Sequence, residues 1–368
     1  MNNIFYLCYC YGLLVFVGYE ENLETHGNDR LVVVCGDECV SPFTVGIAGD
    51  PSDVNKTLRF RNGVFKIVQF SDIHYQYGNP LSDQAEQNIR EVVAAEKPDL
   101  VMVSGDIIYK APGSTCLARV LSIFESLGVP YCMIFGNHDG EQQTPLTTLY
   151  DMMQKGAHSV MPPRQGSNFD YVLPILGSTG TKPAALVYGI QAYSYSKMKG
   201  VGGYQWFTWR QLSWYRDQAA KYKTANGGKV LPAIAFMHYP LPEYRAAVLA
   251  MESPLYGIRE ETSHVPSLNS GMFAQMKESG DVMGVFCGHD HDNDYSVMYY
   301  GVLLGYCRFS GGNTEYNHLR NGARVIVLKE GKREFDTWIR ERGGTVYPAT
   351  HYPSDYVKDN WKLRKGTR

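Results

Sequence analysis

The sequence predicts an α/β fold in which two packed β-sheets are flanked by helices. Three observations carry that expectation. Buried-strand patterns of four to six apolar residues alternate with stretches of helical periodicity. The late segments look antiparallel, and five of the strand patterns run directly into histidine or aspartate.

The elements follow in order. Apolar runs predict strands at 65–70, 99–103, 131–135, 184–190, 230–237, 282–287, 296–309 and 323–329. Helical spacing predicts helices at about 83–96, 115–127, 145–154, 208–223, 243–251 and 267–278. Asp83 with Glu86 three residues on resembles an N-cap pair, and Gly128 sits where the second helix should stop. Residues 155–182 are rich in Gly, Pro and Ser and read as loop. At 368 residues, 44% hydrophobic and 20% charged, the chain can bury one large core. The expected organisation is a hydrophobic leader at 1–18, an extension at 19–60, a catalytic domain at 61–342 and a tail at 343–368. No internal repeat or long low-complexity linker interrupts it.

The chemistry sits where the strand patterns end. Asp72-Ile73-His74 follows FKIVQFS, Gly105-Asp106 follows DLVMVS, and Gly136-Asn137-His138-Asp139 follows YCMIF. His238 follows AIAFM, and Gly288-His289-Asp290-His291 follows VMGVFC. Two neighbouring cations need an anionic bridge, plus imidazole or carboxylate ligands that leave room for water and substrate. Asp106 is the natural bridge. Alternation along an extended D-x-H segment would put Asp72 and His74 on one side, within reach of one metal. His289 and His291, placed where a strand turns, are expected to divide between the metals. Asn137 offers a neutral carbonyl oxygen.

These motifs resemble the calcineurin-like metallophosphoesterases, and most closely their purple acid phosphatase-related branch of single-domain plant and fungal proteins, from about Phe65 to Leu328. The resemblance implies a four-layer αββα sandwich. It also implies one metal held by Asp72, His74, Asp106 and His291 and another by Asp106, Asn137, His238 and His289. His138 would be an acid beside the metals, oriented by Asp139. The purple enzymes use D-x-G followed by G-D-x-x-Y, whose tyrosine binds ferric iron. This chain has D-x-H together with Gly105-Asp106-Ile107-Ile108-Tyr109, so His74 would take the tyrosine's place and Tyr109 would form a pocket wall. The metals stay open among iron, manganese and zinc, as divalent or mixed-valence ions.

The expected activity is metal-dependent phosphoric ester hydrolysis by metal-bound hydroxide. Monoesters of a small phosphorylated substrate or phosphoprotein are favoured, with a phosphodiesterase or nucleotide pyrophosphatase as the alternative and a non-catalytic binding protein as the competitor from another class. Tyr75, Tyr109, Tyr239 and Asn293 are the substrate-pocket candidates, and tyrosines and tryptophans across 193–215 could line a cleft. His26, His158, His264, His318 and His351 read as surface or structural, His318 with a chance of bordering the pocket. A net charge of −2 argues against nucleic-acid binding.

Ile4 to Val17 is uncharged, too short for a confident membrane span and within the length of a signal-peptide core. A secretory signal, an uncleaved anchor and a buried strand all fit it. The expected location is secreted or endomembrane and vacuolar, with cytoplasm as the alternative. Cys35 and Cys39 would suit a disulfide in an oxidising compartment and Asn55 begins a glycosylation sequon, whereas Cys132 and Cys287 read as small core residues.

Overall fold

The computed structural model describes residues 5–10, 13–18 and 56–357. Strands β1 (Phe5–Cys10) and β2 (Leu13–Gly18) pair antiparallel inside a unit of their own, Met1–Gly49. Cys35, Cys39, Asn55 and the basic cluster from Lys358 onward lie outside the described residues.

Two mixed sheets make the rest. The first, in spatial order, is β15 (Thr350–Tyr352), β14 (Phe335–Glu341), β13 (Gly322–Lys329), β3 (Val64–Phe70), β4 (Leu100–Ser104) and β5 (Tyr131–Ile134), with β3 to β5 parallel. The second is β6 (Tyr171–Leu176), β7 (Pro183–Gly189), β8 (Ala233–Phe236), β10 (Val282–Cys287), β12 (Val302–Tyr306), β11 (Ser296–Tyr299) and β9 (Leu255–Tyr256). Its central four, β7, β8, β10 and β12, are parallel. Helices α1 (Ser82–Glu96), α2 (Gly113–Leu127) and α3 (Leu146–Gln154) cover the first sheet, and α4 (Trp209–Ala225), α5 (Glu243–Ala250) and α6 (Met272–Ser279) cover the second. This is the expected αββα sandwich.

Period-two alternation makes both faces of the second sheet apolar. Along β8, Ile234 and Phe236 face the core shared with the first sheet, while Ala233 and Ala235 face α4 to α6. Along β7, Ala185 and Val187 divide from Leu186 and Tyr188 in the same way. Buried Gln69 then crosses between the sheets, its amide donating to Ser104 Oγ at 2.8 Å and to the Cys287 carbonyl at 3.2 Å. It fixes the ends of β3, β4 and β10 relative to one another.

Several expectations need correction. The run 296–309 is two antiparallel strands, β11 and β12, turned at Tyr300-Gly301, where both residues have positive φ. The Gly-, Pro- and Ser-rich stretch 155–182 contains β6, and the segment after 330 supplies β14 and β15. The domain therefore exceeds 61–342: Leu58 and Phe60 are in the core, and so is Tyr356. The sixth helix begins at Met272 rather than 267. Asp83 is no cap, because α1 starts at Ser82, whose hydroxyl accepts the Gln76 amide, and Glu86 pairs with Arg90 and Arg119. Gly128 does end α2 in the left-handed region, at φ 66°. Cys132 and Cys287 are free and buried, as expected. No helix among the described residues is long and apolar enough to cross a membrane.

Candidate metal centre

The carboxyl ends of five parallel strands, three from one sheet and two from the other, converge on one cluster. β3 delivers Asp72 and His74, β4 delivers Asp106, and β5 delivers Asn137 and His138; across the sandwich, β8 delivers His238 and β10 delivers His289 and His291. Loops at this edge carry no ladder obligations, so their side chains are free to point at one another.

Two groups of donors result. Asp72, His74 and His291 bring one ligand atom each within 4.8 Å of one another, and so do Asp106, His238 and His289. All six are buried. Asp106 lies between the groups, its Oδ2 standing 3.7 Å from His74 Nε2 and 3.2 Å from His238 Nε2. Asn137 Oδ1 is 3.2 Å from the same His238 nitrogen.

The backbone brings Asp72 and His74 together in an unexpected way. The segment is not extended: Asp72 has φ 55° and His74 has φ 45°. Asp106 at 49° and His289 at 77° share this left-handed conformation, which costs a non-glycine residue of order 1–3 kcal/mol. Cross-links hold it in place. The Asp72 amide donates to the Gly105 carbonyl and the His74 amide to the Asp106 carbonyl, both at 3.0 Å. Three glycines make room. A Cβ on Gly288 would lie 1.8 Å from Ser71 Oγ, one on Gly136 2.2 Å from Asp106 Oδ1, and one on Gly105 2.5 Å from His238 Nδ1.

The donor chemistry fits cations. His238 Nδ1 faces the Ser104 carbonyl at 3.0 Å and His291 Nδ1 faces the Tyr316 carbonyl at 2.6 Å, so both rings carry their proton there. Their Nε2 lone pairs then face other acceptors: Asp106 and Asn137 oxygens around His238, and His74 Nε2 at 3.2 Å beside His291. His74 Nδ1 and His289 Nε2 are buried without a hydrogen-bond partner. Lone pairs aimed at one another are stable around a positive ion. Short of one, the carboxylates must recruit protons. Burial resists a charge on His238, but Asp106 overrides it and lifts the ring to about 9, while burial pushes His289 down to about 3.

The structure corrects the role given to Asp139. Its carboxylate is buried and accepts the amides of Gly136 at 2.7 Å, Ile107 at 2.8 Å and Ile108 at 3.1 Å, fastening the β5 loop to the β4 loop. It does not touch the His138 ring, whose Nδ1 instead meets Glu141 Oε2 at 2.7 Å. Burial, and then the Asp106 charge, raise Asp139 to about 7.

A cavity of about 460 Å³ opens over both groups. Tyr109 lines it, edge-on to His74 and His138, as a wall should. The other three pocket candidates do not. Tyr75 is buried and bonded to Arg119, Tyr239 is buried and donates to the Ser194 carbonyl, and Asn293 is spent on the Glu261 backbone. Tyr204, Glu261, His264, Glu315 and Tyr316 line the cavity instead. Of these, His264 was expected to be surface or structural, and it is both: exposed at the cavity rim and bonded to Asp290 at 2.6 Å. His318 pairs with Asp292 and stays outside. Only Tyr204, in the aromatic stretch, had a sequence signal.

The sequence model of the calcineurin-like phosphoesterases matches residues 65–293. The chain belongs to that family. Among curated relatives, it is 30% identical to an Arabidopsis thaliana protein named probable inactive purple acid phosphatase 14, over 84% of each chain. It is 28% identical to Saccharomyces cerevisiae phosphatase DCR2, over 76% of this chain and 54% of the relative. Among solved structures, a dimetal phosphatase from Danio rerio superposes with TM-score 0.53 at 14% identity, over 79% of this chain and 99% of that one. That likeness shows the calcineurin-like fold.

Proposed function

We propose that the protein is a metal-dependent phosphomonoesterase. The observation that carries this reading is the pair of buried donor groups, with Asp106 within 4 Å of a nitrogen in each and a cavity above both. Asp72, His74, Asp106 and His291 would hold one cation, and Asp106, Asn137, His238 and His289 the other. Two bound cations would supply charge for the phosphoryl oxygens and an activated nucleophile. Ser104 and Tyr316 carbonyls orient His238 and His291 as ligands. Glu141 holds the His138 ring so that its free nitrogen serves the leaving oxygen as proton or hydrogen-bond donor. Tyr109 closes the wall beside His138.

The plant relatives are named as probable inactive enzymes, which favours a second reading as a non-catalytic binding protein. The complete donor set in this chain supports activity. Metal content together with turnover of one aryl phosphomonoester and one aryl diester tests both readings. Monoester turnover by a two-metal protein supports the proposal, diester preference makes it a phosphodiesterase, and a metal-loaded protein that turns over neither is a binding protein.

A further inference from the structure

We infer that the pocket selects phosphomonoesters whose alcohol carries a cationic ammonium group, the class of phosphorylated amino alcohols. This rests on the hydrolytic reading above and adds to it the nature of the leaving group.

Around the histidines, the cavity wall is built from Tyr109, Tyr204, Tyr316, Glu261 and Glu315. Among the described residues lining it, none is lysine or arginine. A second phosphate or a carboxylate on the substrate would thus meet two glutamates and no lysine or arginine. A positive group would meet the opposite.

Among the described residues, the glutamates meet no lysine or arginine. Glu315 accepts the Tyr109 phenol and the Tyr316 amide, the latter at 3.1 Å. Glu261 accepts the Asp292 amide at 2.7 Å and the Tyr316 hydroxyl at 3.1 Å. These donors are neutral, and neither glutamate pairs with a lysine or arginine among the described residues. His264 stands 3.9 Å from Glu261 but is already committed to Asp290 at 2.6 Å. Burial opposes a charge on both: it raises Glu261 above the ordinary carboxyl value, whereas the two donors to Glu315 hold that carboxyl below it.

The aromatic walls complete the chemistry. Tyr316 stacks on His291 at 4.4 Å, and Tyr204 meets His289 edge-on at 4.5 Å, so a tyrosine flanks the outer histidine of each donor group. Tyrosine faces beside carboxylates are the surroundings in which proteins bind alkylammonium ions. At the same cavity Asp106, His289 and His291, which would hold the cations, mark the end where the phosphate would be anchored. The ester therefore lies with its phosphoryl group over the histidines and its ammonium between the tyrosines, Glu261 and Glu315.

The test is calorimetric titration of the metal-loaded full chain with two non-hydrolysable phosphonates, the analogue of phosphocholine and its neutral isostere with carbon in place of nitrogen. The cationic ligand should bind about tenfold more tightly. Glu315→Gln and Glu261→Gln should each shrink that ratio, and the double variant should bring it close to one, with metal content unchanged. Glu252→Gln, outside the cavity, should leave it intact. Equal binding of the two ligands, or binding of neither, overturns the inference. Nitrophenyl phosphate turnover by the same preparation reports the hydrolytic reading separately. Turnover without preference sinks only the inference, and preference without turnover sinks only the hydrolase.

Discussion

His138 is oriented by Glu141, whose Oε2 lies 2.7 Å from its Nδ1, and not by its sequence neighbour Asp139. The two carboxylates thus separate by function. Glu141 addresses the pocket imidazole and Asp139 pins the loop that carries it. His138→Ala should slow hydrolysis of alkyl phosphates by roughly 10²–10⁴-fold, the usual worth of general-acid assistance, and of nitrophenyl phosphate much less, because nitrophenolate leaves without a proton. Glu141→Gln should show the same pattern more weakly, with both metals retained. Equal losses on both leaving groups would place His138 on the phosphoryl oxygens instead.

Asp139→Asn should behave differently. An amide replaces one of the acceptors that hold the Gly136, Ile107 and Ile108 amides, so a buried N–H loses its partner at a cost of about 1–3 kcal/mol. Thermal unfolding should show this loss, and any fall in turnover should be alike for alkyl and nitrophenyl phosphates. A leaving-group-dependent defect in a protein of unchanged stability would return Asp139 to the proton-transfer role.

Tyr109→Phe should leave metal content unchanged, and the iron-loaded protein should lack a strong visible tyrosinate band. The Tyr109 phenol is engaged by Glu315, which with burial raises it to about 12, so it serves as a donor in the wall. A purple protein that bleaches on this substitution would make Tyr109 a ligand.

Far from the site, Glu96 anchors the first sheet to α1. It accepts from Lys66 Nζ at 3.0 Å, Trp338 Nε1 at 3.2 Å and Arg340. Burial opposes its charge, but Arg340, Lys66 and Trp338 together hold its pKa below the ordinary value of 4.5. A depressed acid stabilises the fold above its unfolded pKa and loses that contribution as pH falls through the lower folded value. Glu96→Gln should therefore cost about 1–3 kcal/mol at neutral pH. Wild type and variant should converge in denaturant titrations well below pH 4.5. A gap that persists in acid would mean that packing, not charge, sets the loss.

The layers and the donors were legible because both leave local signals. The runs of β4, β8 and β10 are apolar on two faces, β3 is so except at Lys66 and Gln69, and each run leads into a ligand-type residue. Extended-chain alternation was the wrong reason for pairing Asp72 with His74, because left-handed φ is imposed by hydrogen bonds from the neighbouring β4 loop. Glu141 had a signal that was passed over, since it lies one helical turn beyond His138. Glu261, Glu315 and Tyr316 had none: they reach the cavity through long loops whose paths depend on Asp290, Asp292 and Tyr109. The strands β14 and β15 were missed because their alternation is half exposed and polar.

The central claim is that Asp106 joins two cation sites, and elemental analysis of purified wild type and Asp106→Ala tests it most directly. The account predicts two metal ions per wild-type chain, loss of metal and activity together in Asp106→Ala, and weakening of mainly one ion in Asn137→Ala. Two tightly held ions in Asp106→Ala, or a wild-type chain that binds none when metals are supplied, would contradict it.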